Sequence, residues 1–149
     1  MISTQIQNLR IRMPSVNAEQ AMPRSHEIEF RVRYQETDAQ GRVHHSNYAN
    51  WFEIGRTELV RAGGRSYRDI EAAGIMLVVV DLKCQFFQGA QYDDLIRLKT
   101  TTVQAKGVRI VNQYEVYTGD TLLAKGETTV AAISPDGKVV RLPEFLQLR

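Results

Sequence analysis

Residues 46–64 read Ser46-Asn-Tyr-Ala-Asn-Trp51-Phe-Glu-Ile-Gly55-Arg-Thr-Glu58-Leu-Val-Arg61-Ala-Gly63-Gly64, and this stretch decides the fold. Tyr48, Trp51, Phe52, Gly55, Leu59 and Ala62 recur at spacings of three and four, which predicts one helix with a single apolar stripe. Ser46 or Asn47 is the expected N-cap, and Gly63-Gly64 ends the helix as C-terminal glycines commonly do. Gly55 inside that helix costs about 1 kcal/mol relative to Ala, which a sheet passing close to the helix would explain.

Upstream, Ile28, Phe30, Val32 and Tyr34 alternate with charged residues, the period of a half-buried strand that ends in core or interface at Tyr34. Residues 35–45 then form an irregular loop. Downstream, Ser66-x-x-Asp69 resembles a capping box for a second short helix closed by Gly74. Strands are expected over 75–87, 94–105, 108–118 and 121–133. The first begins as an apolar run and ends alternating, with Leu82, Cys84 and Phe86 on one face. Gly119-Asp120 is a hairpin turn, Ser134-Pro-Asp-Gly137 another turn, and 139–142 a short strand. One strand, two helices and four consecutive strands make an α+β fold with one helix against one antiparallel sheet.

The chain has 149 residues, enough for one domain with its own core. Residues 1–25 lack a sustained period and are read as a mobile extension, with the folded domain spanning 26–149. Residues 1–24 also carry the whole formal excess of +2, leaving 16 basic and 16 acidic residues over 25–149. That balance disfavours a nucleic-acid partner. The longest apolar run, 75–80, is far short of the ~20 residues of a membrane helix, and the N-terminus does not read as a signal peptide. A lone Cys84 forms no internal disulfide. A cytoplasmic location follows as the expectation.

Reactive and backbone-special residues concentrate just before the long helix, in Tyr34-Gln-Glu-Thr-Asp38-Ala-Gln-Gly41-Arg-Val-His44-His45-Ser-Asn47-Tyr48. A helix N-terminus offers unpaired N–H groups that polarise a carbonyl and stabilise an oxyanion. A carboxylate on the facing loop could attack that carbon or activate water, and a turn at Gly41 could bring Asp38 and His45 towards one substrate. The His44-His45 pair has no further ligand at metal spacing, so no metal is expected. Glu53 with Arg56, and Glu58 with Arg61, have the spacing of helix-surface pairs. Cys84 reads as a small buried apolar residue.

The segment resembles the active-site region of the hotdog-fold acyl-CoA thioesterases of the 4-hydroxybenzoyl-CoA type. It is also similar to the Tol–Pal-associated acyl-CoA thioesterases, which share Thr-Asp-x-x-Gly-x-x-x-His-x-x-Tyr. Here that pattern is Thr37, Asp38, Gly41, His45 and Tyr48, followed by Trp51-Phe-Glu-x-x-Arg-Thr-Glu58. The resemblance implies a hotdog fold, one long central helix wrapped by a five-stranded antiparallel sheet. It implies a homodimer or homotetramer with active sites between subunits, and hydrolysis of an acyl or aroyl-CoA to free acid and CoA without a cofactor.

By the same resemblance Asp38 is the catalytic carboxylate and His45 supplies a backbone N–H to the thioester carbonyl. In the Tol–Pal branch a His side chain at this position also contributes to catalysis. Tyr48 would be a secondary acyl contact, and Lys106 and Arg109 would receive the nucleotide phosphates. The chain departs from the pattern at His44 (often aromatic), Gln40 (often Gly) and Gly89-Ala-Gln, a turn that often contains Pro. Rival expectations are an enoyl-thioester hydratase of the same fold, whose Asp-x-Asn-Pro-x-His pattern is absent, and a non-catalytic acyl-CoA-binding protein.

Overall fold

A computed structural model describes residues 22–148. The elements run in the order β1 (Ser25–Arg31), α1 (Ser46–Ala62), α2 (Tyr67–Ala72), β2 (Met76–Phe86), β3 (Leu95–Lys106), β4 (Arg109–Thr118) and β5 (Thr121–Ile133). A 3-10 turn at Tyr34–Glu36 follows β1. The strands form one antiparallel sheet in the order β1-β3-β4-β5-β2, and α1 lies across it. This is the expected α+β hotdog arrangement. The extension expected over 1–25 falls mainly on residues outside those described. Met22 packs against a core cluster, and the Thr102 N–H donates to the Arg24 carbonyl at 2.8 Å.

Gly55 and Gly126 show how closely the sheet grips the helix. A Cβ at Gly55 would meet Thr100 Oγ1 and, at 2.9 Å, Leu98 Cδ2 on β3. A Cβ at Gly126 on β5 would meet the Phe52 ring. With no side chain at Gly126, Phe52 lies flat on Tyr114, ring centroids 4.3 Å apart. The Tyr114 hydroxyl pairs with Thr128 Oγ1 at 2.6 Å, so this buried stack leaves no phenol unpaired.

Four local expectations are corrected. The helix starts at Ser46 with His45 as its N-cap, in helical backbone conformation and with no side-chain capping bond. The Asn47 amide is engaged elsewhere, donating to the Glu36 carbonyl at 2.9 Å. Ala62 is exposed, and the stripe runs instead through Arg56 and Val60. Arg56 is therefore not a surface residue: only 7% exposed, it keeps a 3.6 Å contact with Glu53 and lies beside the Tyr67 phenol. Burial pushes that phenol up to about 12 despite the cation beside it. Tyr34 is 78% exposed, because β1 ends at Arg31 and the chain turns before reaching it.

The expected turns are all present. Ser66 and Asp69 form a reciprocal capping box at α2. Gly119 and Gly137 both have positive φ, where an L side chain is strained. The strand expected over 75–87 becomes an outer strand of the sheet. Met76, Val79, Val80, Leu82 and Phe86 on β2 all stand exposed in the single chain.

Candidate active site

The loop before α1 is a small hairpin built on its own backbone. His44 N–H donates to Glu36 O at 2.9 Å, Thr37 and Val43 form a bridge, and Asp38 N–H donates to Arg42 O at 2.8 Å. Gly41 turns the chain at φ +78°, with its N–H on Asp38 O at 3.0 Å. One carboxylate oxygen of Asp38, Oδ1, accepts the N–H groups of Gln40 (2.9 Å) and Arg42 (3.3 Å). Its other oxygen accepts no bond among the described residues. The carboxylate is thus held by one oxygen and chemically available at the other.

The N-terminus of α1 faces the same region. Ser46 N–H is taken by His44 Nδ1 at 3.2 Å, and the Ser46 hydroxyl lies 2.8 Å from the same nitrogen. Asn47 N–H is taken by His44 O and Tyr48 N–H by His45 O. The His45 N–H has no partner among the described residues. Of the N–H groups at this helix start, it is the donor left over for a ligand.

Asp38, His45 and Tyr48 line one cleft of about 300 Å³, together with Arg42, Phe86 and Phe87. Tyr48 is buried and edge-on to Phe86, ring centroids 5.0 Å apart. Burial raises its phenol above the ordinary value, so it stays protonated. Phe86 and Phe87 are each about half exposed and form an apolar wall. The sequence pattern places Phe86 on a strand face but not at the site; two adjacent aromatics running into Gln88-Gly89 are the signal that could have found the wall. Arg42, whose side chain lies against Gly89, is a further cleft residue that the pattern does not single out.

Lys106 and Arg109 are not part of this cleft. They are exposed and pair across the β3–β4 hairpin, at the end of β3 opposite Leu95. Leu95 pairs with Arg31 beside the Asp38 loop, so β3 spans roughly 3.3 Å per residue between the two groups. Within one chain they are separated by most of the length of the sheet.

An antiparallel sheet gripping one long helix, with a carboxylate loop against the start of that helix, is the architecture of hotdog-fold acyl-thioester enzymes. The family model of the thioesterase superfamily matches residues 40–125, and the chain belongs to that family. It is 31% identical over 106 residues to the acyl-CoA thioester hydrolase YbgC of Escherichia coli O6:H1, covering 70% of this chain and 79% of that protein. Its structure is similar to that of the DHNA-CoA thioesterase of Staphylococcus aureus, with a TM-score of 0.77 and 33% identity, covering 79% and 80% of the two chains. It shares its fold with a 4-hydroxybenzoyl CoA thioesterase, with a TM-score of 0.72 and 20% identity over 82% and 95% of the chains.

Proposed function

We propose that this protein hydrolyses an acyl-CoA thioester to the free acid and CoA. The observation that carries the reading is the pairing, in one cleft, of a carboxylate oxygen and an N–H at the start of α1 that both lack a partner among the described residues. In this reading the carbonyl oxygen sits on the His45 N–H, where the helix dipole favours developing negative charge. Asp38 then acts on the carbonyl carbon, as nucleophile or through water, and the thiolate of CoA leaves. Tyr48, Phe86 and Phe87 contact the acyl group. No cofactor takes part, because the thioester carbonyl is already electrophilic and thiolate is a competent leaving group.

The working unit in this reading is a homodimer or homotetramer. Support comes from the exposed apolar residues of β2, which cost solvent exposure in a lone chain and leave an unpaired strand edge. Lys106 and Arg109 would meet the CoA phosphates from a second copy, since their own cleft lies at the other end of β3. We place the enzyme in the cytoplasm. Among the described residues no helix is long and apolar enough to cross a membrane, and the thiol of Cys84 is free.

The test is thiol release over a panel of aliphatic and aromatic acyl-CoAs. Turnover of at least one member is expected, abolished in Asp38→Asn. A thermal shift with acyl-CoA but no thiol release from any member would instead identify a binding protein.

A further inference from the structure

Glu36 has no role in the chemistry above, yet it ties the loop to the helix through both its side chain and its backbone carbonyl. Its Oε1 accepts the Arg33 N–H at 2.7 Å, and its Oε2 accepts the Trp51 indole N–H at 2.7 Å. Its backbone carbonyl accepts the His44 N–H and the Asn47 side-chain N–H, both at 2.9 Å. Asn47 and Trp51 are four apart, one turn above the other on the same face of α1. A single residue thereby holds the first two turns of the helix, the residue next to the N-cap, and the strand-side end of the loop that carries Asp38.

The geometry is specific in two respects. Trp51 is 1% exposed and wedged between Phe30 and Tyr48, so the indole N–H needs an acceptor and finds an anionic one. Both carboxylate oxygens are already bound to N–H donors, so Glu36 is not free to act as a base. We propose that Glu36 is a positioning residue for thioester hydrolysis, setting the distance between the Asp38 carboxylate and the His45 N–H. The proposal rests on the assignment of those two groups above. Reacting groups displaced by about 1 Å lose on the order of 10²-fold in rate, so loosening this clamp acts on kcat while the apolar wall that binds the acyl group is untouched.

Trp51 is the single tryptophan of the chain, which makes the clamp visible without substrate. Three variants are compared with wild type: Glu36→Gln, Trp51→Phe and the double variant. Gln keeps the size of Glu but presents one acceptor and one donor, so one of the two N–H partners is lost. The measurements are Trp51 emission, the melting temperature, and kcat and KM with whichever of acetyl-, hexanoyl- and benzoyl-CoA turns over fastest.

The expected result is a shifted Trp51 emission in Glu36→Gln, a kcat lowered by about 10- to 100-fold with KM within about twofold, and a double variant no slower than the worse single one. Unchanged emission overturns the clamp itself. Altered emission with unchanged kcat overturns its role in positioning. Effects of the two single variants that multiply in the double overturn the claim that they act through one contact. Failure of the underlying assignment looks different: Asp38→Asn would then retain turnover, whatever the Glu36 variants do.

Discussion

Gly55→Ala sets a local gain against a tertiary cost, and the structure says which wins. In an isolated helix the substitution would stabilise by about 1 kcal/mol. In this protein the added methyl would meet Leu98 Cδ2 at 2.9 Å and Thr100 Oγ1 still closer, both on β3. Leu98 and Thr100 are fully buried, so neither has solvent to move into. One extra methyl in a packed core costs typically ~1–3 kcal/mol, leaving a net loss of up to about 2 kcal/mol after the helical gain. For a domain of this size that corresponds to a melting temperature lower by up to roughly 8 °C. Thermal melting by circular dichroism at fixed protein concentration measures it.

A second variant sharpens the test. Thr100 Oγ1 is buried with no hydrogen-bond partner among the described residues, so Thr100→Ala removes the nearest obstacle without breaking a bond. Gly55→Ala in the Thr100→Ala background is therefore expected to cost less than in wild type. A Gly55→Ala protein that melts above wild type would refute the close approach of α1 and β3.

Asp38→Asn is expected to lower kcat by ~10²–10⁴ with the fold intact by circular dichroism, and His45→Ala less, because Ala keeps the backbone donor. Asp93 has φ +70°, so Asp93→Val should lower the melting temperature by more than Asp93→Gly does. Burial pushes the Cys84 thiol up to about 11; its alkylation by iodoacetamide should be slow at pH 7–8 and rise only as pH approaches that value. Met22 and the Arg24 carbonyl contact the domain, so a chain starting at residue 25 is expected to melt below one starting at residue 22.

Features that depend on neighbours along the chain are legible in the amino-acid sequence itself. The capping box of Ser66 and Asp69 and the hairpin at Gly119-Asp120 each lie within a few residues and follow from local backbone chemistry, and the stripe from Tyr48 to Leu59 follows from side-chain period along one helix. Arg56 escapes such a reading because its spacing from Glu53 is that of a surface pair. It lines one small cavity with Tyr67 of α2 and with Thr102 and Asn112 of the sheet, and no local pattern reports these neighbours. The outer position of β2 is hidden for the same reason: an apolar run shows that something covers it, not what. At the site, residue types and their order are enough to find the segment of Asp38 and His45. The engagement of His44 with Ser46, and of Glu36 with Trp51, uses side chains that read individually as loop and core.

The two borders of the sheet are chemically unlike. β1 is only seven residues long and turns Glu27, Glu29 and Arg31 outward, with Arg97 of β3 bonded to Glu27 at 3.2 Å. Such a charged, short border repels further strands. β2 is eleven residues long, and its exposed side chains are largely apolar. With one adhesive and one repellent border among the described residues, two copies that met through β2 would each cover the other's adhesive border and present β1 to the outside. Association along the sheet direction would then close as a symmetric pair, and the same polarity would keep the protein from growing into a fibre.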